Sequence, residues 1–382
     1  MELKEYQSGK LKQQYQYKSF SPSPVNHTWL INDAEVQNLL SEADRVLGEL
    51  NAFSQLIPNV DFFIRMHITK EAAQSSRIEG TQTNMEEALL EEQDVDPENR
   101  NDWHEVQNYI KAINSAVAQL QDLPLSNRLL LNTHHTLMQG VRGQQKLPGE
   151  FRRSQNWIGV SLKNAVFIPP HHEELIDLMG DLESFIHNDL IQVPHLIKIA
   201  IAHYQFETIH PFLDGNGRLG RLMIALYFAS FGLLHKPALY LSDFFERNKT
   251  EYVDRLMAVR QASQLKEWVV FFLYGVKETA EDSIQVFRDI LELKARLDTQ
   301  VLPHFSTRRQ TNAQALMNHL YQNPVISIKS VTDLLGGNTN TASALISDFC
   351  KHGILSELTG QRRNRMFWFR DYFIIFNHER QD

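Results

Sequence analysis

An apolar repeat of 3.6 residues runs through most of this chain and limits it to a largely helical body. From Asp33 onward Val36, Leu39, Leu40, Ala43, Val46, Leu47 and Leu50 recur at helical spacing, one stripe that must face a core. Asn32 or Asp33 is the expected N-cap. Trp103, Val106, Ile110, Ile113, Val117 and Leu120 form a second stripe, and residues 129–138, closed by Gly140, a third helix with a glycine stop. Helices are predicted again over 173–187, 194–208, 217–231, 250–262 and 266–297. One stretch breaks the pattern. Residues 151–170 hold two β-prone runs, 156–160 and 165–168, separated by 162–164 and ended by Pro169-Pro170, which predicts a small hairpin standing off the helices. Residues 1–32, with Ser21, Pro22, Ser23 and Pro24, read as an irregular arm.

Past a hinge expected at 303–307 the pattern changes. Helical runs at 313–320, 331–335 and 341–351 precede two β-prone runs, 354–357 and 366–369, bridged by TGQRRNR. Three helices and a two-stranded wing is the winged helix-turn-helix layout. From residue 304 on, nine Lys/Arg against six Asp/Glu give +3, so the remainder of a chain of net charge −8 carries −11. Bulk nucleic-acid binding is not expected of such a chain. At 382 residues two or three domains are expected. A single cysteine, Cys350, excludes a disulfide framework and a cysteine-based zinc site. The polar start MELKEYQSGKLKQQYQYKSF has no signal-peptide core, and WVVFFLYGV at 268–276 is far too short to span a bilayer. The expectation is a cytoplasmic protein without membrane contact.

The chemistry concentrates in TIHPFLDGNGRLGR, residues 208–221. Gly215-x-Gly217-x-x-Gly220 formally matches a dinucleotide fingerprint, but a helix precedes it and no βαβ unit surrounds it, so that reading is rejected. The local physics still points to phosphate. Gly215 and Gly217 let several backbone N–H groups converge, and a helix start adds its dipole. Arg218 and Arg221 share a helix face and offer planar donors to phosphate oxygens. Asp214 is a hard carboxylate of the kind that holds Mg²⁺ together with a phosphate. His210 can take a proton near neutral pH. Singly, each group is an ordinary loop or surface residue; together they fit phosphoryl or nucleotidyl transfer. His203 and His210 lie seven apart and make a weak metal pair.

HPFLDGNGRLGR closely resembles the core motif of the Fic family of protein adenylyltransferases, and GEFRRSQNWIG, AVFIPPHHEEL and ALYLSDFFERNKTEYVDRL extend the resemblance over about residues 30–300. It implies a mainly α Fic fold with a β-hairpin flap, followed by the winged helix-turn-helix. The implied domains are an arm (1–32), an N-terminal helical region (33–125), a catalytic domain (126–300) and the winged helix (304–382). The GNGR spacer favours AMP transfer over the phosphate transfer of Doc-like kinases. The resemblance gives His210 the role of base and Phe212 that of loop anchor. It makes Asp214 the Mg²⁺ ligand and Gly215, Asn216 and Gly217 an anion hole beside Gly220. Arg218 and Arg221 become phosphate ligands. Asn164, Ala165, Val166 and Phe167 become the flap that docks the target and covers ATP, and Tyr252 lines the adenine pocket.

Ser75-Ser76-Arg77-Ile78-Glu79-Gly80 resembles the family's inhibitory-helix motif, placed within a helix over about 69–80. Ser75 and Glu79 share one face. The resemblance implies a Glu79–Arg221 pair that withholds the γ-phosphate donor within one chain. The expected reaction is transfer of AMP to a Tyr, Thr or Ser hydroxyl of a target protein or of the chain itself. Two other readings stay open: a nucleotide-sensing transcription regulator acting through the winged helix (wing Arg362, Arg363 and Arg365; helix 338–351), and a de-adenylylase in which Glu79 positions water. DNA is a possible partner, and a homo-oligomer is left open.

Overall fold

A computed structural model describes residues 1–57, 60–358 and 365–377, apart from the side chains at 62, 307 and 308. The chain opens with β1 (Gly9–Gln13) and β2 (Lys18–Pro22), then α1 (Ala34–Leu56), α2 (Asp61–Ile78), α3 (Met85–Ala88), α4 (Arg100–Gln119) and α5 (Asn127–Leu137). A two-stranded hairpin, β3 (Ile158–Gly159) and β4 (Ala165–Phe167), precedes α6 (Leu175–His187), α7 (His195–Ile209), α8 (Asn216–Ser230), α9 (Ser242–Arg247), α10 (Lys249–Ala262) and α11 (Leu265–Arg296). The last part comprises α12 (Thr307–Gln322), β5 (Val325–Ser327), α13 (Ile328–Leu334), α14 (Thr339–Lys351), β6 (Ser356–Glu357), β7 (Met366–Trp368) and α15 (Arg370–Phe376).

The core forms around α7 and α8. Residues 196–209 of α7 are all buried, so its apolar surface runs all the way round and neighbours cover every side. The indole N–H of Trp268 on α11 donates to the Ala200 carbonyl of α7 at 2.8 Å and ties the two helices. The stripe predicted from Asp33 is the buried face of α1, which lies along α11, and Asp33 caps it by accepting from the N–H groups of Glu35 and Val36. No helix among the described residues is long and apolar enough to cross a membrane.

Two expectations change. The N-terminal arm is ordered: β1 and β2 pair antiparallel, Tyr6 and Trp29 are buried with ring centroids 5.4 Å apart, and Lys12 meets Glu174 at 2.6 Å. Its prolines end the strand rather than prevent it. At the expected hinge, Pro303 sits in a 3-10 turn with Leu302 and Phe305 buried on either side. The C-terminal part holds one more strand and one more helix, since β5 joins the sheet in the order β5-β7-β6 and α15 follows it. Both segments are too short to show a period. Gly336 and Gly337, at φ 79° and 105°, make the turn between α13 and α14, and Asn338 caps α14. The C-terminal part packs onto α2: Phe63 lies 5.6 Å from Tyr321, and His67 lies 5.1 Å from Phe376.

Candidate functional site

The site forms where α7 ends and α8 begins. His210 caps α7 in the left-handed region, φ 50° and ψ 60°, a conformation costing a non-glycine residue roughly 1–2 kcal/mol. Phe212 then plunges into the core and Gly215, at φ 75°, turns the chain into α8. The Asn216 side chain holds this loop closed: its Oδ1 accepts from the Phe212 N–H at 2.8 Å and its Nδ2 donates to the Phe212 carbonyl at 2.9 Å. The amide oxygen and one of the two amide N–H donors are therefore engaged in holding the loop. The first-turn N–H groups of α8 lack intrahelical acceptors and lie at the positive end of its dipole.

Glu79 reaches this point from α2. Its Oε1 lies 2.7 Å from Nη2 of Arg221, whose Nε donates to Ser75 Oγ and whose Nη2 donates to the Ser75 carbonyl, each at 2.9 Å. The spacing of four residues puts Ser75 and Glu79 on one face, as expected. Arg221 is 3% exposed, so the pair is shielded on the arginine side. Burial pushes the Glu79 carboxyl up, but the Arg221 guanidinium outweighs it and holds the group below the usual carboxylate range. Lys249 donates to the Ile78 carbonyl at 2.6 Å, binding the C-terminal end of α2 to α10. Gly80 follows at φ 101°, which favours glycine there.

Arg218 and Asp214 are held differently. Arg218 is buried and donates to Glu105 of α4 at 3.1 Å, and Glu105 also accepts from Arg142 and Thr81. Asp214 is half-buried; its Oδ1 accepts from the Gly215 N–H, its Oδ2 from Lys146 at 3.1 Å, and Arg218 stands 3.9 Å away. One carboxylate fits a divalent cation shared with phosphate oxygens rather than a cage built by protein alone. His134 of α5 supports the loop from below, its Nε2 3.0 Å from the Asp214 carbonyl and its ring stacked on Phe212 at 3.8 Å. Its Nδ1 accepts from the Gly149 N–H, which leaves the proton on Nε2. Burial depresses this imidazole to about 4, so it stays neutral.

The hairpin stands over the loop. Ile158 pairs with Phe167 and Gly159 with Ala165, a shorter ladder than the sequence suggests. Val166 is exposed, Ala165 intermediate and Phe167 buried, with the Arg260 guanidinium 4.2 Å from its ring centroid. Asn164 is exposed at the turn. Tyr252 lies deeper than an open pocket wall would: it is 3% exposed and its hydroxyl is 2.9 Å from His203 Nε2. His203 is occupied on its other nitrogen by the Gly220 carbonyl and shares no ligand set with His210. Gly220 is backed by Glu207, a buried carboxylate whose Oε1 has no hydrogen-bond partner among the described residues and which burial pushes up to about 7.

His210 keeps its imidazole neutral. Burial, then Arg260 and Arg152, hold it down to about 4. Sequence reasoning missed Glu105, His134, Lys146 and Glu207. The first three meet the loop from 113, 80 and 68 residues away, a range no local spacing signals.

Comparisons with known proteins place this geometry. Residues 37–118 match the Fic/DOC family N-terminal region and residues 124–228 the Fic/DOC family itself. Protein adenylyltransferase Fic of Drosophila erecta is 34% identical over 116 residues, 30% of this chain and 21% of that protein. The Aedes aegypti protein of the same name is 42% identical over 77 residues, 20% of this chain and 14% of its own length. The match thus spans about a fifth or less of these curated relatives. Among solved structures, a Fic family protein from Desulfovibrio desulfuricans G20 superposes with TM-score 0.57 and 20% identity, covering 90% of this chain and 98% of that one. Fic-1 from C. elegans superposes with TM-score 0.51 and 21% identity, covering 68% and 74%. At that identity the structures speak for the fold, and the sequence matches speak for two parts of the chain: a Fic/DOC N-terminal region at 37–118 and a Fic/DOC domain at 124–228.

Proposed function

We propose that this chain transfers AMP from ATP to a Tyr, Thr or Ser hydroxyl of a protein, releasing pyrophosphate, and that Glu79 restrains it. The observation that carries the reading is the Glu79–Arg221 pair at 2.7 Å, formed between the end of α2 and the start of α8, the helix that follows the loop carrying His210 and Asp214. A second carboxylate drawn onto an anion-binding arginine is what a phosphate-binding site looks like when an internal group occupies it. The names of the curated relatives support adenylyl transfer.

The first-turn N–H groups of α8 and Arg221 would bind the phosphates. Arg218 would contribute to that binding only after yielding part of its hold on Glu105. Asp214 would hold Mg²⁺ with the phosphates, after Lys146 swings aside; the bound cation supplies neutralisation of phosphate charge. The imidazole of His210, neutral above about pH 4, accepts the proton of the attacking hydroxyl. The hydroxyl oxygen bonds to the α-phosphorus as the bond to pyrophosphate breaks. Phosphate charge arriving beside the imidazole raises its basicity at the step that needs it. The strand β4, Ala165–Phe167, with Val166 exposed, is the edge on which an extended target segment would lie.

The proposed domains are the arm (1–32), the N-terminal helical region (33–125), the catalytic domain (126–300) and a winged helix-turn-helix (304–382). The helices α12, α13 and α14 and the sheet β5-β7-β6 support the last. Its charges favour a protein contact over DNA. Asp348 of α14 pairs with Arg309 and lies 3.8 Å from Lys351, and Arg365 is spent on Glu357. Arg362 and Arg363 lie outside the described residues.

The test is incubation of wild type, Glu79→Gly and a Glu79→Gly, His210→Ala double variant with ATP labelled on the α-phosphate. Strong labelling of Glu79→Gly, weak labelling of wild type and none of a Glu79→Gly, His210→Ala double variant is expected. Equal labelling by wild type and Glu79→Gly would remove the brake. Loss of label from a pre-labelled protein only when Glu79 is intact would favour the de-adenylylase reading.

A further inference from the structure

We infer that Arg152 and Asn156, at the foot of the flap, are positioning residues that hold His210 in its working conformation. The inference rests on the transfer reaction proposed above but concerns residues that touch none of the reacting atoms.

Arg152 is 2% exposed, and none of its hydrogen bonds goes to a carboxylate. Its donors all end on main-chain carbonyls. Nε donates to His210 at 3.0 Å and Nη1 to Ser154 at 3.1 Å; Nη2 donates to Pro170 at 2.6 Å and Ile209 at 3.4 Å. Its own N–H donates to the Pro211 carbonyl at 2.9 Å. A buried guanidinium without a counter-ion is costly, and burial depresses even this group to about 10. The chain keeps it where it joins both stems of the flap to the three residues that end α7.

Asn156 completes the clamp. Its Nδ2 donates to the His210 carbonyl at 3.1 Å and to the Phe212 carbonyl at 2.8 Å. The His210 carbonyl therefore accepts from two side chains on the flap's first stem. The left-handed backbone at 210 is the position where a helix C-terminus ordinarily takes glycine or asparagine. Here an imidazole must stand there, and the two donors fix the peptide plane that follows it. The same two residues tie the strand on which a target would dock to the group that would deprotonate it. A target that orders the flap thereby orders the base.

The experiment uses the full chain with Glu79→Gly as parent, and follows AMP transfer with Arg152→Lys and Asn156→Leu added singly. Lysine keeps the charge but cannot span four carbonyls. Misplacing a base by about 1 Å costs on the order of 100-fold. Turnover is expected to fall by about that factor while KM for ATP stays within about threefold. Exogenous guanidinium is expected to restore part of the activity of Arg152→Ala. Arg152→Lys turning over within about twofold of the parent, or a loss carried wholly by KM, would overturn the inference. The His210 ring signals are followed by NMR in parallel, without ATP. They are expected to shift in Arg152→Lys while the rest of the spectrum stays folded; unshifted signals would overturn the inference even if the parent proved inactive. A parent that transfers no AMP counts against the proposed reaction, and the NMR arm then decides on positioning alone.

Discussion

Oε1 of Glu79 rests against Gly217 so closely that a Cβ at 217 would collide with it, and the same Cβ would stand 3.0 Å from Nη1 of Arg221. On the function proposed above, the Glu79 carboxylate and the phosphates of ATP would claim one small volume, kept open by the absence of a side chain at 217. Gly217→Ala is expected to dislodge Glu79 yet fail to activate, because the added methyl stands where a phosphate oxygen would. Labelling by Gly217→Ala should stay at least about tenfold below that of Glu79→Gly; labelling equal to it would show that phosphate does not use this space.

Ser75 should act as a partial brake. It supplies Arg221 with two acceptors, of which only Oγ is removed by substitution. One hydrogen bond to a charged donor is worth about 1.5–3 kcal/mol. Ser75→Ala is expected to give labelling between wild type and Glu79→Gly, with the Ser75 carbonyl still engaged. A comparison of initial rates at one ATP concentration checks the order.

Glu207 should make stability depend on pH near neutrality. Burial raises its carboxyl from 4.5 to about 7. The unfolded chain therefore loses its proton first as pH rises. The carboxyl costs nothing below about pH 4.5, an increasing amount up to about 7, and its full cost above. That cost is on the order of 3 kcal/mol. Glu207→Gln should gain stability over wild type progressively across this window, read as Tm against pH. Glu79 behaves oppositely. Its lowered carboxyl favours folding above its ordinary 4.5 and loses that contribution only as pH falls through its depressed value, so mild acid is not expected to break the Glu79–Arg221 pair.

The sequence carried the helical body because burial on one face imposes a period, and α1, α6, α7, α8, α10 and α11 fall within two residues of the predicted helices where bounds were set. The turn between α7 and α8 was legible for a related reason: Gly215 and Gly217 at short spacing mark a sharp turn into a helix start, and Gly215 turns there at φ 75°. Ser75 and Glu79 were legible because four residues return a helix to one face. Long-range partners were not. Glu105 looks like any acid on an amphipathic helix until Arg218 arrives from 113 residues away. The β1–β2 hairpin was hidden by composition: Lys, Gln and Ser dominate it, and its stability comes from Phe20, whose N–H bonds the Ile168 carbonyl at 2.9 Å and whose ring meets Phe167 at 5.7 Å.

The packing of the C-terminal part on α2 predicts that the brake answers to residues far from it. Phe63, on the first turn of α2, is buried at 1% exposure between Tyr321 and Tyr372, at 5.6 and 6.3 Å. One turn on, His67 lies between Phe287 and Phe376, at 5.1 Å from each. The other end of the same helix presents Ser75 and Glu79 to Arg221. Phe63→Ala removes a buried ring and should cost about 3–5 kcal/mol of stability. If α2 is set by both ends, the same substitution should also raise labelling above wild type, because a helix loosened at its start holds Glu79 less firmly. Phe376→Ala should act in the same direction from the other side of the contact. Thermal melts and initial labelling rates on the two variants, measured below their melting temperatures, separate the effects. Lower Tm with labelling unchanged from wild type would mean that the C-terminal part stabilises α2 without governing where its last turn lies.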